Sequence, residues 1–146
     1  MRALLQRVRS ASVAIDGVVV GNIDAGLLVF LGLEPRDTPA VGEKLLQRVL
    51  NYRIFSDEQG RMNRSLKDVS GGLLLISQFT LAADTTQGLR PGFSTAMAPP
   101  QAEPLFEQLY AYVSAAYAPV AGGRFGADMQ VGLINDGPAT FLLESR

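Results

Sequence analysis

Two hydroxyl groups and a carboxamide follow directly after a short apolar run in this sequence. The polar residues are Ser77, Gln78 and Thr80, and the run before them is Leu73-Leu74-Leu75-Ile76, preceded by two glycines. A run of this length with such borders predicts a buried strand rather than a helix. Polar groups at the end of a buried strand must form hydrogen bonds or face a cavity. They therefore either cap the strand or form the floor of a binding site.

The sequence contains no histidine and no cysteine. This composition excludes Ser-His-Asp and Cys-His catalytic arrangements, disulfide bonds, and zinc sites built on thiolates or imidazoles. We expect neither a metal ion nor an organic cofactor. An enzyme of this composition would act by positioning its substrate, by oriented backbone dipoles, or through groups on the substrate itself.

The composition is that of an ordinary globular protein. Of the 146 residues, 47% are apolar and 18% are charged, which predicts a single domain over residues 1–146. No apolar run approaches the ~20 residues of a membrane span, and the first residues lack the apolar core of a signal peptide, so we expect a cytoplasmic protein. The net charge is −1, but basic residues concentrate between Lys44 and Lys67. They indicate either a phosphate-binding face or a solvated helix face.

The first half of the chain alternates between strand and helix signals. Strands are predicted over residues 3–15, from residue 18 onward and over residues 27–31, with a hairpin turn at Asp16-Gly17. Thr38 is placed as the N-cap of a helix that begins at Pro39 and runs to about Arg53. The helix has one apolar face, formed by residues such as Val41, Leu45, Leu46 and Val49.

The second half begins with the strand at residues 73–76, followed by a long loop over residues 83–100 and a second helix over residues 102–117. Further strands are predicted near Arg124-Phe125, over residues 129–134 and over residues 139–144, with a turn at Asn135-Asp136-Gly137-Pro138. The resulting order is β-β-β-α-β-α-β-β(-β). It predicts an α/β fold in which two helices pack on a sheet, with a second sheet layer or a partial barrel.

Several short motifs together resemble one protein family. They are Gln6-Arg7-Val8, Tyr52-Arg53-Ile54-Phe55-Ser56-Asp57, Ser77-Gln78-Phe79-Thr80-Leu81, Arg90-Pro91 with Phe93, Gly123-Arg124-Phe125 with Ala127-Asp128-Met129, and Asn135-Asp136-Gly137-Pro138-Ala139-Thr140. This combination resembles the D-aminoacyl-tRNA deacylases, also called D-tyrosyl-tRNA deacylases, over nearly the whole chain. The sequence departs from the family pattern at Ala139, where valine is usual, and at Gly92, where a larger residue is common.

The resemblance implies an ester hydrolase that removes a D-amino acid, or mischarged glycine, from the terminal adenosine of tRNA. It implies a homodimer whose active sites lie at the subunit interface, with no membrane partner. The backbone of Phe79 and Thr80 would stabilise the oxyanion, Ser77 and Gln78 would line the catalytic pocket, and the substrate 2′-hydroxyl would assist in place of a protein base. Two other readings stay open: a hydrolase or transferase acting on another small activated ester, and a module that binds a metabolite without catalysis.

The same resemblance assigns the remaining site residues. Phe79, Met129 and Ala96 would contact the terminal adenosine, although phenylalanine and methionine also fill ordinary protein cores. Gly137-Pro138 would be cis and would enter the partner's site as a filter that excludes L-amino acids. Arg7 and Asn135 would hold that turn in place, and a strand-surface role for Arg7 is the simpler alternative.

Overall fold

The computed structural model describes residues 1–145. These residues form eight strands, three α-helices and one 3₁₀ helix at Phe79–Ala82. The strands are β1 (Arg2–Ile15), β2 (Val18–Ile23), β3 (Gly26–Gly32), β4 (Phe55–Ser56), β5 (Met62–Arg64), β6 (Gly72–Ser77), β7 (Val120–Gly122) and β8 (Gln130–Glu144). The α-helices are α1 (Pro39–Asn51), α2 (Leu66–Val69) and α3 (Pro99–Ala116).

Six of the strands form one curved sheet. Its order is β2-β1-β3-β6-β7, and β8 also pairs with β1. This is possible because the long strand β1 pairs with β3 through residues 2–8, with β2 through residues 11–15, and with β8 along residues 2–14. The pairs β3–β6 and β6–β7 are parallel, whereas β1 is antiparallel to β2, β3 and β8. The sheet nearly closes on itself, because Gly21 of β2 lies so near β7 that a Cβ on it would be 2.5 Å from the Gly122 carbonyl oxygen. The predicted α/β class and partial barrel are thus confirmed.

The two central strands are buried on both faces. In β6, Leu73 and Leu75 pack toward the helices, whereas Leu74 and Ile76 point into the barrel interior. All four side chains are at most 2% exposed. Parallel strands covered on both sides require such a continuous apolar sequence. The apolar run that marks β6 therefore reflects a strand at the centre of the fold.

Helices α1 and α3 cover the outer face of this sheet. The Thr38 hydroxyl accepts a hydrogen bond from the Val41 N–H at 3.3 Å, as an N-cap should. The helix ends at Asn51, two residues earlier than predicted. Helix α3 starts at Pro99 rather than at residue 102, since prolines are tolerated at first helical positions that need no N–H donor.

Three sequence expectations about local structure are corrected. The strand expected near Arg124-Phe125 is β7, at Val120–Gly122, and the two residues themselves lie in a turn. The last two strands are one strand, β8, and the Asn135-Asp136-Gly137-Pro138 segment does not reverse the chain. The β4–β5 hairpin and α2, which has a capping box formed by Ser65 and Asp68, were not anticipated because both are very short.

The segment around Gly137-Pro138 is a bulge of several extra residues in β8. From the pair Gln6–Thr140 to the pair Val8–Asn135, β1 advances two residues while β8 advances five. The extra residues leave the ladder, where proline could not donate a hydrogen bond. The bulge thus projects from the outer edge of the sheet. Within the described residues, no helix has the length and apolar character needed to cross a membrane.

Candidate active site

A large cleft opens at the carboxyl ends of β3 and β6. Its volume is about 730 Å³, which lies in the range of small-molecule sites. The lining residues come from these strand ends, the segment before α3, and the turn after β7. They are Leu31, Leu33, Ile76, Ser77, Gln78, Phe79, Phe93, Ser94, Ala96, Met97, Ala98, Pro99, Ala102, Phe125, Gly126, Ala127, Asp128, Met129 and Val131. The structure brings Ser77, Gln78, Phe79, Ala96 and Met129 together in this lining, whereas Thr80 is exposed and is not among the lining residues.

The chain changes direction sharply where β6 enters the cleft. The N–H of Gln78 completes the parallel ladder by donating to the Leu31 carbonyl at 2.8 Å. The 3₁₀ helix begins at the next residue, and the first N–H groups of a helix have no acceptor within it. Within residues 1–145, neither the Phe79 nor the Thr80 N–H donates to another protein atom. Two backbone donors therefore stand free beside the cleft.

The side chains around this helix hold its shape. The Gln78 carboxamide donates to the Thr80 hydroxyl, which joins the two polar side chains of the motif. Gly32 lies beneath the helix, because a Cβ there would be 3.0 Å from the Gln78 carbonyl oxygen and 3.1 Å from the Leu81 Cβ. A larger residue at this position would force these neighbours to move by a few tenths of an ångström. Gly32 thus favours the close approach of the 3₁₀ helix to the end of β3.

Two aromatic rings form one side of the cleft mouth. Phe79 and Phe93 meet edge to face with their ring centroids 5.2 Å apart. They are 56% and 46% exposed, so neither ring is committed to the core. Sequence analysis did not assign Phe93 to the site, although Phe93 belongs to the motif with Arg90-Pro91 and lies in the long loop that follows Ser77–Thr80. A phenylalanine in a long loop was the signal that could have assigned Phe93 to the site.

Asp128 is the one ionisable side chain among the cleft-lining residues. No lysine or arginine nitrogen lies within 4.0 Å of its carboxylate in the described part of the chain. Residues 1–145 also contain no group of three or more acidic side chains placed to hold a metal ion. The cleft is thus apolar with a single negative charge, and its other polar groups are hydroxyls, amides and backbone atoms.

The loop between the 3₁₀ helix and Phe93 has an ordered base. Asp84 and Gly92 form an antiparallel bridge with two hydrogen bonds of 2.8 and 2.9 Å. The Asp84 carboxylate also accepts from the Thr86 hydroxyl and N–H at 2.6 and 3.0 Å. The hydroxyl first, and then the N–H, lower the pKa of Asp84 below its usual value, so these bonds are complete at neutral pH. The loop therefore projects as a defined structure.

Gly137 and Pro138 do not line the cleft of their own chain. The peptide bond between them is cis, which confirms that prediction, and both residues are exposed on the β8 bulge. A second cis bond, Ala118-Pro119, was not predicted. The structure therefore separates the two groups of predicted site residues within one chain.

The bulge is braced by the two residues expected to hold it. Arg7, only 9% exposed, donates from Nε to the Asp136 carbonyl at 3.0 Å and from Nη1 to the Ile54 carbonyl at 2.7 Å. Its Nε also lies 3.2 Å from the Asp136 carboxylate. Asn135 donates from Nδ2 to the Arg7 and Ala139 carbonyls at 2.9 and 3.3 Å. These contacts tie the first residues of the bulge to β1 and join its two ends to each other through Asn135 and Ala139.

Sequence comparison places the protein in one family. Residues 4–144 match the family described as D-Tyr-tRNA(Tyr) deacylase, and the chain belongs to this family. It is 62% identical over 144 residues to a D-aminoacyl-tRNA deacylase of Pseudomonas putida, with 99% of both chains covered. It is 61% identical over 145 residues to the D-aminoacyl-tRNA deacylase of Pseudomonas aeruginosa, covering 99% of this chain and all of the relative.

Solved structures share the fold. A structure described as c-Myc DNA unwinding element binding protein superposes with a TM-score of 0.94 at 38% identity, covering 100% of this chain and 99% of the other. A probable eukaryotic D-amino acid tRNA deacylase superposes with a TM-score of 0.83 over 97% of both chains. At 16% identity, the second likeness concerns the fold alone.

Replacing Arg7 tests the bracing of the bulge. We expect Arg7→Ala to lower the free energy of unfolding by about 1–3 kcal/mol, because it leaves the Ile54 and Asp136 carbonyls without their donor. Arg9→Ala is the matched control, since Arg9 is 76% exposed at the side chain and lies 3.9 Å from the same aspartate. It should change stability by less than about 0.5 kcal/mol. Urea denaturation at neutral pH measures both, and equal values would show that Arg7 does not brace the bulge.

Proposed function

We propose that this protein hydrolyses the ester bond of D-aminoacyl-tRNA and releases the free D-amino acid and tRNA. The observation that carries the proposal is the pair of free backbone donors, at Phe79 and Thr80, beside a cleft with an aromatic mouth. Family membership and the names of the Pseudomonas relatives support this substrate class. The cytoplasm, where aminoacyl-tRNA is used, is the expected location.

The free donors suit the chemistry of ester hydrolysis. When water attacks the ester, its carbonyl oxygen becomes an anion, and each oriented N–H that meets this anion contributes roughly 10²–10³ in rate. The sequence has no histidine or cysteine to act as base or nucleophile. We therefore assign assistance to the 2′-hydroxyl of the terminal adenosine. Ser77, Gln78 and Thr80 shape the catalytic pocket around this step.

The rim of the cleft suits a terminal adenosine. Phe79 offers an exposed ring that can stack on a base, and such stacking tolerates any base. Met129 and Ala96 line the same cleft and would contact the nucleoside. Met129 packs directly against Gly123, where a Cβ would collide with its sulfur. This contact fixes the position of the methionine side chain.

A second copy of the chain would complete the site. Strand β8 pairs with β1 on one edge, and within residues 1–145 no strand covers its other edge. Its side chains Leu133, Ile134 and Leu142 are 37%, 59% and 49% exposed. A long uncovered edge with apolar side chains favours association. A homodimer through this strand would carry the bulge of each chain toward the cleft of its partner.

The bulge would then act as the chirality filter. D- and L-amino acids differ in the side of the α-carbon on which the side chain lies, so a fixed obstacle on one side excludes one of them. Gly137-Pro138 is the proposed obstacle, and Arg7 and Asn135 hold it rigid. Glycine has no side chain to clash, so glycine mischarged on tRNA would also be hydrolysed. The combined activity is chiral proofreading of aminoacyl-tRNA.

The decisive experiment compares D-tyrosyl-tRNA, L-tyrosyl-tRNA and glycyl-tRNA as substrates. We expect loss of the D-ester and the glycyl ester and retention of the L-ester, measured by release of the radiolabelled amino acid. Hydrolysis of a small activated ester but of no aminoacyl-tRNA would favour a different ester hydrolase. If neither the aminoacyl-tRNAs nor the small ester is hydrolysed, a metabolite-binding module is favoured.

Side-chain variants test whether the catalysis is by the backbone. We expect Ser77→Ala and Thr80→Ala to lower kcat/KM by about 10- to 100-fold, less than the ~10⁴-fold or greater loss expected for a deleted nucleophile. A substrate that ends in 2′-deoxyadenosine should lose more than either variant. Ser114→Ala, at an exposed position of α3 that does not line the cleft, is the control and should be nearly neutral. Abolished activity in a folded Thr80→Ala variant would instead identify its hydroxyl as the nucleophile.

Sedimentation tests the dimer. At micromolar concentration, we expect twice the monomer mass of 15.6 kDa. Ile134→Lys should shift the protein toward monomer and reduce deacylation, because it places a charge on the exposed face of β8. Val19→Lys is matched in exposure, at 58% against 59%, but lies on β2 and should leave the mass unchanged. A fully active monomer would contradict the assembly.

A further inference from the structure

The loop over residues 84–92 projects beside the cleft and ends in two exposed side chains. Its base is closed by the Asp84–Gly92 bridge, and residues 85–91 beyond it are exposed. At the tip, Leu89 is fully exposed and Arg90 is exposed. Within residues 1–145, no carboxylate lies within 4.0 Å of the Arg90 guanidinium. The tip therefore presents a cation without an intramolecular partner.

The negative charge in the cleft disfavours phosphate groups inside it. Asp128 is the one ionisable residue of its lining, and its negative charge repels phosphate. An aminoacylated terminal nucleoside can enter, because its only phosphate is on the 5′ side. That phosphate and the preceding nucleotides must then lie at the rim. The Cα of Arg90 lies no more than about 11 Å from that of Phe93, a cleft-lining residue three positions later in the chain.

Phe93 supplies a second aromatic surface next to the first. Its ring meets the Phe79 ring at 62°, so the two faces point in different directions. Single-stranded nucleic acids bind to such rows of exposed aromatic rings with cations along the backbone. If Phe79 stacks on the terminal adenine, as in the proposed function, Phe93 is placed for the base before it.

We propose that Phe93 and Arg90 bind the single-stranded nucleotide that precedes the terminal adenosine of the tRNA. Phe93 stacks on its base, and Arg90 pairs with a phosphate at the rim. This inference rests on the proposed function and extends it from the terminal adenosine to the nucleotide before it. By this proposal, Arg90 of the loop and Phe93 directly after it distinguish a tRNA end from a free aminoacyl-nucleoside.

The test compares two substrates that share the scissile ester. One is D-tyrosyl-tRNA, and the other is D-tyrosyl-adenosine, which lacks the preceding nucleotides. Phe93→Ala should raise KM for the tRNA about 10-fold or more through loss of stacking, a several-fold larger increase than for D-tyrosyl-adenosine, on which Phe93 acts only through its packing against Phe79. Phe93→Tyr keeps an aromatic face and should behave as the wild type, whereas Phe93→Leu keeps apolar packing against Phe79 and should behave as Phe93→Ala.

Salt dependence isolates Arg90. A plot of log(kcat/KM) for the tRNA against log(salt) should lose about one unit of slope in Arg90→Ala and keep its slope in Arg90→Lys. Arg36→Ala removes the same charge from an exposed residue of the loop between β3 and α1, which is not in the cleft lining or in the basic segment 44–67, and should leave the slope unchanged.

Three results would overturn this assignment. They are equal losses on both substrates in folded Phe93 variants, an unchanged salt slope in Arg90→Ala, and a wild-type enzyme with equal KM for tRNA and D-tyrosyl-adenosine. Each of them leaves the deacylase proposal standing, because the wild type still hydrolyses the D-ester. Failure of the wild type on both substrates would instead refute the proposed function, and the assignment with it.

Discussion

The parallel pairing of β3 with β6 is the constraint on which the rest of the structure depends. Both strands are buried on both faces, so their side chains must be apolar until the strand ends. Polar residues can appear only where β6 leaves the core, at Ser77 and Gln78. Because Gly32 lets the following backbone lie against the end of β3, the chain turns at once into a 3₁₀ helix with two free donors. The cleft and its polar floor follow from this exit.

The sequence predicted the features that depend on local patterns. The apolar run of β6, the N-cap at Thr38 and the polar residues after Ile76 all lie where the structure has them, within a residue or two. The cis bond at Gly137-Pro138 was predicted as well, but from family resemblance rather than from the residues themselves. Local sequence patterns therefore predict the strand end and the helix cap, whereas the cis bond is predicted by the family resemblance.

The errors have a common cause in non-local pairing. Asn135-Asp136-Gly137-Pro138 has the composition of a hairpin turn, and it becomes a bulge only because β1, more than 100 residues earlier, pairs with the chain on both sides of it. The same pairing supplies Arg7 and makes it a brace. The roles of Gly32 and Phe93 also depend on which segments meet in space. No local pattern contains that information.

The geometry of a site built from backbone donors depends on residues that carry no functional group. Gly32 carries no functional group, yet a Cβ at this position would press on the Gln78 carbonyl and the Leu81 side chain, on either side of the two N–H groups. Substitutions that preserve every polar residue of the motif can therefore still misalign the site by steric displacement. Reagents that modify nucleophilic side chains would likewise find no reactive target among the proposed donors. In such a protein, steric fit restricts substitution even at positions whose side chains take no part in the chemistry.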